Sequence, residues 1–238
     1  MKYVISILAS SMLLANNASA EDAANTSLWK ASAEIGYVAT SGNTDTTTLN
    51  AKGMASTERE KWRHTLEITA LNSEDENVTT AEKYTFVAQS DYKLGKPNFL
   101  FGNISYEDDK FSGYEYRVTE SVGYGRRVVE NDEVVLDLEI GPGARQSKPD
   151  NGSSDSEGIV RGAAKLKWKI SDTSKFSEIL TVEAGEDVSI SKSVTSLSSK
   201  INGSLSMKLT YTYKYTSEVP VGIDDTDTET AVTLVYDF

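Results

Sequence analysis

Trp29-Lys30-Ala31-Ser32-Ala33-Glu34-Ile35-Gly36-Tyr37-Val38-Ala39-Thr40 is the stretch that decides the fold. Trp29, Ala31, Ala33, Ile35, Tyr37 and Ala39 fall on one parity, and Lys30, Ser32, Glu34, Gly36, Val38 and Thr40 on the other. Side chains of a strand point alternately to opposite faces, so this order gives one apolar and one polar face; wound as a helix it would scatter both kinds around the axis. The period of two recurs. Trp62, His64, Leu66, Ile68 and Ala70 oppose Arg63, Thr65, Glu67 and Thr69; Leu205, Met207, Leu209, Tyr211, Tyr213 and Tyr215 oppose Ser206, Lys208, Thr210, Thr212 and Lys214; Val232, Leu234, Tyr236 and Phe238 oppose Glu229, Thr233 and Asp237. About twelve strands are predicted, beginning near residues 29, 46, 62, 81, 98, 116, 134, 159, 175, 190, 204 and 228.

Alternation alone fits a soluble sandwich as well as a membrane barrel. Three features choose the barrel. Aromatics such as Trp29, Trp62, Tyr92, Tyr124, Trp168 and Tyr236 lie on the apolar parity near strand ends, as in interfacial girdles. Charges of both signs lie in mid-strand on the polar parity, where a watery or ion-paired lumen can satisfy them and a sandwich core cannot. The chain also ends on a strand whose last residue is Phe238. The expected fold is all-β, a single antiparallel up-and-down transmembrane β-barrel of about 12 strands over residues 29–238, with the first and last strands paired because lipid offers an open edge no partner. Connections alternate between short ones such as Glu58 to Lys61 and Asn202-Gly203 and longer, acidic ones at Asn72 to Thr80, Asp108 to Tyr114, Gln146 to Gly158 and Val219 to Asp227. One residue resists the scheme: with Tyr116, Val118, Val122 and Tyr124 facing lipid, Glu120 faces lipid too, and a bulge or register change near Thr119 to Ser121 is expected to relieve it.

Composition removes whole classes of function. The chain has 238 residues, 24 Lys+Arg against 36 Asp+Glu, a net charge of −12, no cysteine and one histidine. A surplus of acid disfavours nucleic-acid binding, which needs clustered cations. Absence of cysteine excludes disulfides, thiolate nucleophiles and Cys-ligated zinc, and one histidine excludes a multi-histidine metal site. At the N-terminus, Lys2, the apolar run Tyr3 to Ala15 and Ala18-Ser19-Ala20 read as a signal peptide over 1–20, cleaved before a short segment 21–28.

Ala33-Glu34-Ile35-Gly36-Tyr37 running into Ser41-Gly42-Asn43-Thr44-Asp45-Thr46, the central Val122-Gly123-Tyr124-Gly125-Arg126, and Asp227-Thr228-Glu229-Thr230 before Leu234-Val235-Tyr236-Asp237-Phe238 together resemble the salt-induced outer-membrane protein family, domain of unknown function 481. The resemblance spans essentially the whole mature chain. It implies a barrel in the outer membrane of Gram-negative bacteria and a link to salt or osmotic stress, and its pattern holds no functional residues to carry over.

The residues themselves offer few sites. His64 is the sole histidine base available to a lipid-facing hydrolase; it sits two residues from Trp62 on the lipid parity with no Gly-x-Ser-x-Gly elbow, so it reads as an interfacial residue and no enzyme is expected. Gly123-Tyr124-Gly125 and Gly141-Pro142-Gly143 lie inside strands and read as kinks or as room for a large neighbour in the barrel. The candidate lumen-lining charges are Asp137, Glu139 and Arg145 on one strand and Arg161, Lys165, Lys167 and Lys169 on the next. They form either a transverse field that selects small polar or anionic solutes or an ion-pair ladder that closes the lumen. No cofactor or metal site is expected. The expected partners are outer-membrane lipid and lipopolysaccharide, with the barrel-assembly machinery engaging the C-terminal strand ending at Phe238, no nucleic acid, and a monomeric state. Two roles stay open: a narrow passive pore or osmotic envelope component, and a non-conducting barrel touching lipopolysaccharide or cations.

Overall fold

The computed structural model describes residues 29–40, 46–76, 78–150 and 152–238; the segments 1–20, 21–28 and Ser41 to Asp45 lie outside the described residues. Twelve strands follow one another: β1 (Trp29–Thr40), β2 (Thr46–Glu58), β3 (Trp62–Asp75), β4 (Val78–Gly95), β5 (Asn98–Asp109), β6 (Tyr114–Glu130), β7 (Val134–Pro149), β8 (Asp155–Lys169), β9 (Ser174–Gly185), β10 (Ser189–Asn202), β11 (Leu205–Thr216) and β12 (Thr226–Asp237). Each pairs antiparallel with the next, and β12 returns to β1 through pairs from Ser32↔Asp237 to Ile35↔Leu234, so the sheet is a closed barrel. At this seam a Cβ on Gly36 would lie 2.7 Å from the Val232 carbonyl oxygen. Only a glycine lets the two strands approach so closely, and Asn50 Nδ2 reaches past it to donate to Glu229 Oε1 at 2.8 Å.

The barrel is apolar outside and charged within. Ile35, Tyr37, Ile68, Val122 and Ile140 are exposed on the outer wall, while Glu34, Asp91, Asp137, Glu139, Arg145, Arg161 and Lys214 are buried in the lumen. That inversion suits a wall bathed in hydrocarbon. Trp29, Trp62 and Trp168 all lie outward near the same end, where Trp62 stacks on His64 and meets Tyr92, and Trp168 meets Phe176 edge-on. The connections at this end are tight turns of two to four residues; the other end has turns as short at 110–113 and 186–188, so the expected alternation of short and long connections comes down mainly to the 217–225 loop.

Two expectations about the strands change. The strands run from 12 to 18 residues rather than about ten, and they absorb most of Asn72 to Thr80 and Gln146 to Gly158. There both parities are polar, so hydrophobic alternation has nothing to report, yet the antiparallel ladder continues. Nor is there a bulge at Thr119 to Ser121: Ile104↔Glu120 and Glu120↔Ala144 lie in unbroken pairing, and the shifts in this strand fall at Tyr114/Tyr116 and Arg127/Val129. Glu120 therefore projects outward between Tyr116 and Tyr124, with its charge on the lipid wall.

Candidate functional site

Closing a twelve-stranded sheet sets β5 opposite β11 and brings charges on β3 and β4 within reach of those on β7 and β8. In the middle of the lumen Glu139 on β7 accepts from Arg161 Nη1 at 3.1 Å, Lys165 Nζ at 2.7 Å and Gln89 Nε2 at 2.9 Å. Lys165 Nζ also donates to Gln89 Oε1 at 2.7 Å, and β4 and β8 are four strands apart. Asp137 takes Arg127 through two parallel bonds of 2.8 and 3.1 Å and Arg63 Nη1 at 3.1 Å; Arg63 Nε donates in turn to Asp91 at 2.6 Å. The Glu139 side chain is 0% exposed. Such a network holds only if nearly every member is satisfied, because an unpaired buried charge costs several kcal/mol.

Aromatic rings fill the space beside these ions. Phe99 and Phe101 on β5 point inward and are buried, with the Arg63 guanidinium 5.0 Å from one ring and that of Arg161 5.6 Å from the other. Across the β5–β6 ladder they face Gly125 and Gly123. A Cβ on Gly125 would stand 2.2 Å from the Phe99 ring, and one on Gly123 would stand 2.8 Å from that of Phe101. Gly125 is the space the Phe99 ring occupies, whereas Gly123 also admits the β7 backbone, a Cβ there lying 2.3 Å from the Ile140 carbonyl oxygen.

Nearer the 217–225 loop, Lys214 Nζ on β11 donates to Glu107 Oε1 on β5 at 2.6 Å, a bond between strands six apart and therefore across the barrel. Lys83 and Arg117 approach Glu107 at 3.5 and 3.6 Å. Above them the 217–225 loop crosses the mouth: a Cβ on Gly113, in the β5–β6 turn, would meet Pro220 Cγ at 3.0 Å and Ile223 Cγ1 at 3.1 Å. The lumen is thus bridged by side chains at two levels and covered by a loop. A third cluster ties the wall: Arg145, 1% exposed, donates to Glu157 at 2.6 Å and to the Val188 carbonyl, and lies 3.4 Å from Glu183.

A family model described as "Protein of unknown function, DUF481" matches residues 33–238. The chain belongs to this family. Among relatives, the Escherichia coli (strain K12) protein described as "Uncharacterized protein YdiY" is 27% identical over 242 residues, covering 98% of this chain and 96% of its own length. Among solved structures, the NanC porin superposes with a TM-score of 0.52 at 12% identity over 87% of this chain and 98% of that one. The translocator domain of the autotransporter NalP from Neisseria meningitidis gives a TM-score of 0.48 at 13% identity over 98% of this chain and 96% of its own. The likeness to the NanC porin is one of fold: this DUF481 chain has the architecture of an outer-membrane β-barrel.

Of the lumen charges read from sequence, Asp137, Glu139, Arg161 and Lys165 meet in the central network, and Arg145 serves the β8–β10 wall cluster. Lys167 lies near the tight-turn end of the same inward parity, and Lys169 Nζ donates to Asp172 in the β8–β9 turn at 2.6 Å, away from the network. Sequence reading did not find that Arg63, Gln89, Asp91 and Arg127 complete the central network, nor that Glu107 and Lys214 bridge the barrel. It also missed the partner of His64, whose Nδ1 is hydrogen-bonded to Ser90 Oγ at 2.8 Å on the outer wall. Among the described residues no carboxylate bonds the other ring nitrogen, so the pair lacks the group that orients the base of a hydrolytic triad. The outward Glu178 was also unforeseen. Its carboxylate accepts from Ser193 and Thr195 at 2.6 and 2.5 Å, so β10 hydroxyls satisfy it.

Proposed function

We propose that this chain is an outer-membrane barrel of Gram-negative bacteria whose lumen is held shut by its own side chains, so that it serves as a non-conducting envelope component and not as an open diffusion pore. The observation that carries the reading is the Glu107–Lys214 bond between opposite strands, standing above a central network that joins β3 and β4 to β7 and β8. The barrel fold, the outward aromatic band and the family resemblance support the outer-membrane location, with the tight turns toward the periplasm and the 217–225 loop outside. A narrow passive pore would need both bridges to part. No lipid hydrolysis is proposed, because among the described residues no carboxylate bonds His64 to orient it toward Ser90. The test is single-channel recording on purified protein in planar bilayers: the wild type is expected to give no reproducible steps, and reproducible wild-type steps at modest voltage would overturn the proposal.

A further inference from the structure

Four cations gather around one carboxylate at the outer end of the lumen. Lys214, Lys83 and Arg117 lie 2.6, 3.5 and 3.6 Å from Glu107, and Lys192 on β10 stands directly opposite Lys214 in the β10–β11 ladder. Lys83 has a second anion, Asp109, at 3.1 Å. Arg117 is served far less well. It is 7% exposed and its guanidinium lies 4.3 Å from the Tyr114 ring, yet Nε is enclosed with no acceptor. Its ion pair with Glu107 is too long for a hydrogen bond. A guanidinium offers five donors in a planar fork shaped for carboxylate or phosphate, and enclosing even one of them unfilled is costly. Arg117 lines a cavity of about 10 Å³, room for one water-sized guest, together with Tyr114, Lys214 and the loop residue Ile223, and the exposed Asp224 and Asp227 line it too.

We infer that this chamber is an anion-binding site in which the Glu107 carboxylate stands in for the carboxylate or phosphate of a small solute arriving from the 217–225 mouth. The solute would take Lys214, Arg117 and Lys192 as partners and displace Glu107. The inference rests on the closed-lumen reading, since the Glu107–Lys214 contact is at once the bridge and the surrogate. Asp224 and Asp227 oppose the approach of an anion, so the site is best probed near 0.15 M ionic strength, where the screening length is about 8 Å.

The experiment is calorimetric titration of the full chain, folded in detergent, with inorganic phosphate and with succinate at fixed ionic strength, glucose serving as the uncharged control. Glu107→Gln is expected to bind both anions about tenfold or more tighter than the wild type, the size of one charge-assisted hydrogen bond. Adding Arg117→Gln is expected to abolish the gain. A gain that survives in the double variant, or a Glu107→Gln protein that gives no anion-dependent heat, overturns the site. Should Glu107→Gln not fold, the wild type is followed by thermal unfolding: phosphate but not glucose should raise its midpoint, and a wild-type midpoint indifferent to phosphate overturns the site by that route. Bilayer recording separates the two readings. Wild-type conductance with anion binding intact would sink the closure and keep the site; a silent barrel that binds no anion would do the reverse.

Discussion

Removing the Glu139 carboxylate asks whether the lumen is dry. The side chain is 0% exposed and accepts three bonds, from Arg161 at 3.1 Å, Lys165 at 2.7 Å and Gln89 at 2.9 Å. Glu139→Ala leaves two cations facing one another in the space it vacates, and the Arg161 side chain is itself only 7% exposed. Breaking a buried pair by removing one partner costs about 3–5 kcal/mol, most of it the uncompensated charge left behind. The figure belongs toward the upper part of that range, because two cations lose their anion at once. Urea unfolding from lipid vesicles, followed by the fluorescence of Trp29, Trp62 and Trp168 on the outer wall, would measure it. The double variant Glu139→Ala/Lys165→Ala should recover part of the loss, since the two changes act on one network and cannot add. Glu130→Ala, which removes an exposed carboxylate paired with Lys96 and Arg127 at the tight-turn end, supplies the control and should shift the transition little. If Glu139→Ala costs no more than that control, the central charges are hydrated, the lumen holds a water path, and closure by ion pairing is wrong.

Three further outcomes follow from the geometry. Gly125→Ala, which sets a methyl 2.2 Å from the Phe99 ring, should destabilise the barrel by about 1–3 kcal/mol, and Phe99→Ala in the same chain should return part of this in a vesicle-unfolding measurement. Replacing Glu120 by Leu should stabilise the barrel by about 1 kcal/mol in lipid, because the carboxylate faces outward in an unbroken ladder; loss of stability would mean that Glu120 has an unseen partner. Deleting Phe238, whose amide donates to Ala31 O at 2.9 Å and whose ring lies edge-on to Tyr236, should lower the heat-resistant folded form in cell envelopes while leaving refolding into detergent intact. An equal loss in both settings would assign the residue to the seam rather than to assembly.

How far the sequence could be read depends on which relation each residue needs. Parity along one strand is local, so it placed Asp137, Glu139, Arg145, Arg161 and Lys165 on the inner face with no knowledge of any partner. It went silent where both faces match: Asn98-Phe99-Leu100-Phe101 is apolar on either parity beyond its first residue, and the lumen rings were foreshadowed only by the glycines at 123 and 125, which announce space without naming its occupant. Ser90 could not be joined to His64 until the β3–β4 register was known. The cross-lumen bonds are more remote still, because which strand faces which is a property of the closed count. Glu107 meets Lys214 only because six strands separate β5 from β11 in a ring of twelve; two strands more or fewer would give Glu107 another neighbour. Depth sets the last condition. Lys165, Lys167 and Lys169 share a strand, a parity and a charge, yet only Lys165 stands level with Glu139 and Gln89, while Lys169 has descended to the turn and Asp172. A column of like charges therefore crosses the barrel at one height and serves its rim at another, which is why sequence could leave open a selective field and a closing ladder while the closed register turns part of that column into a bridge.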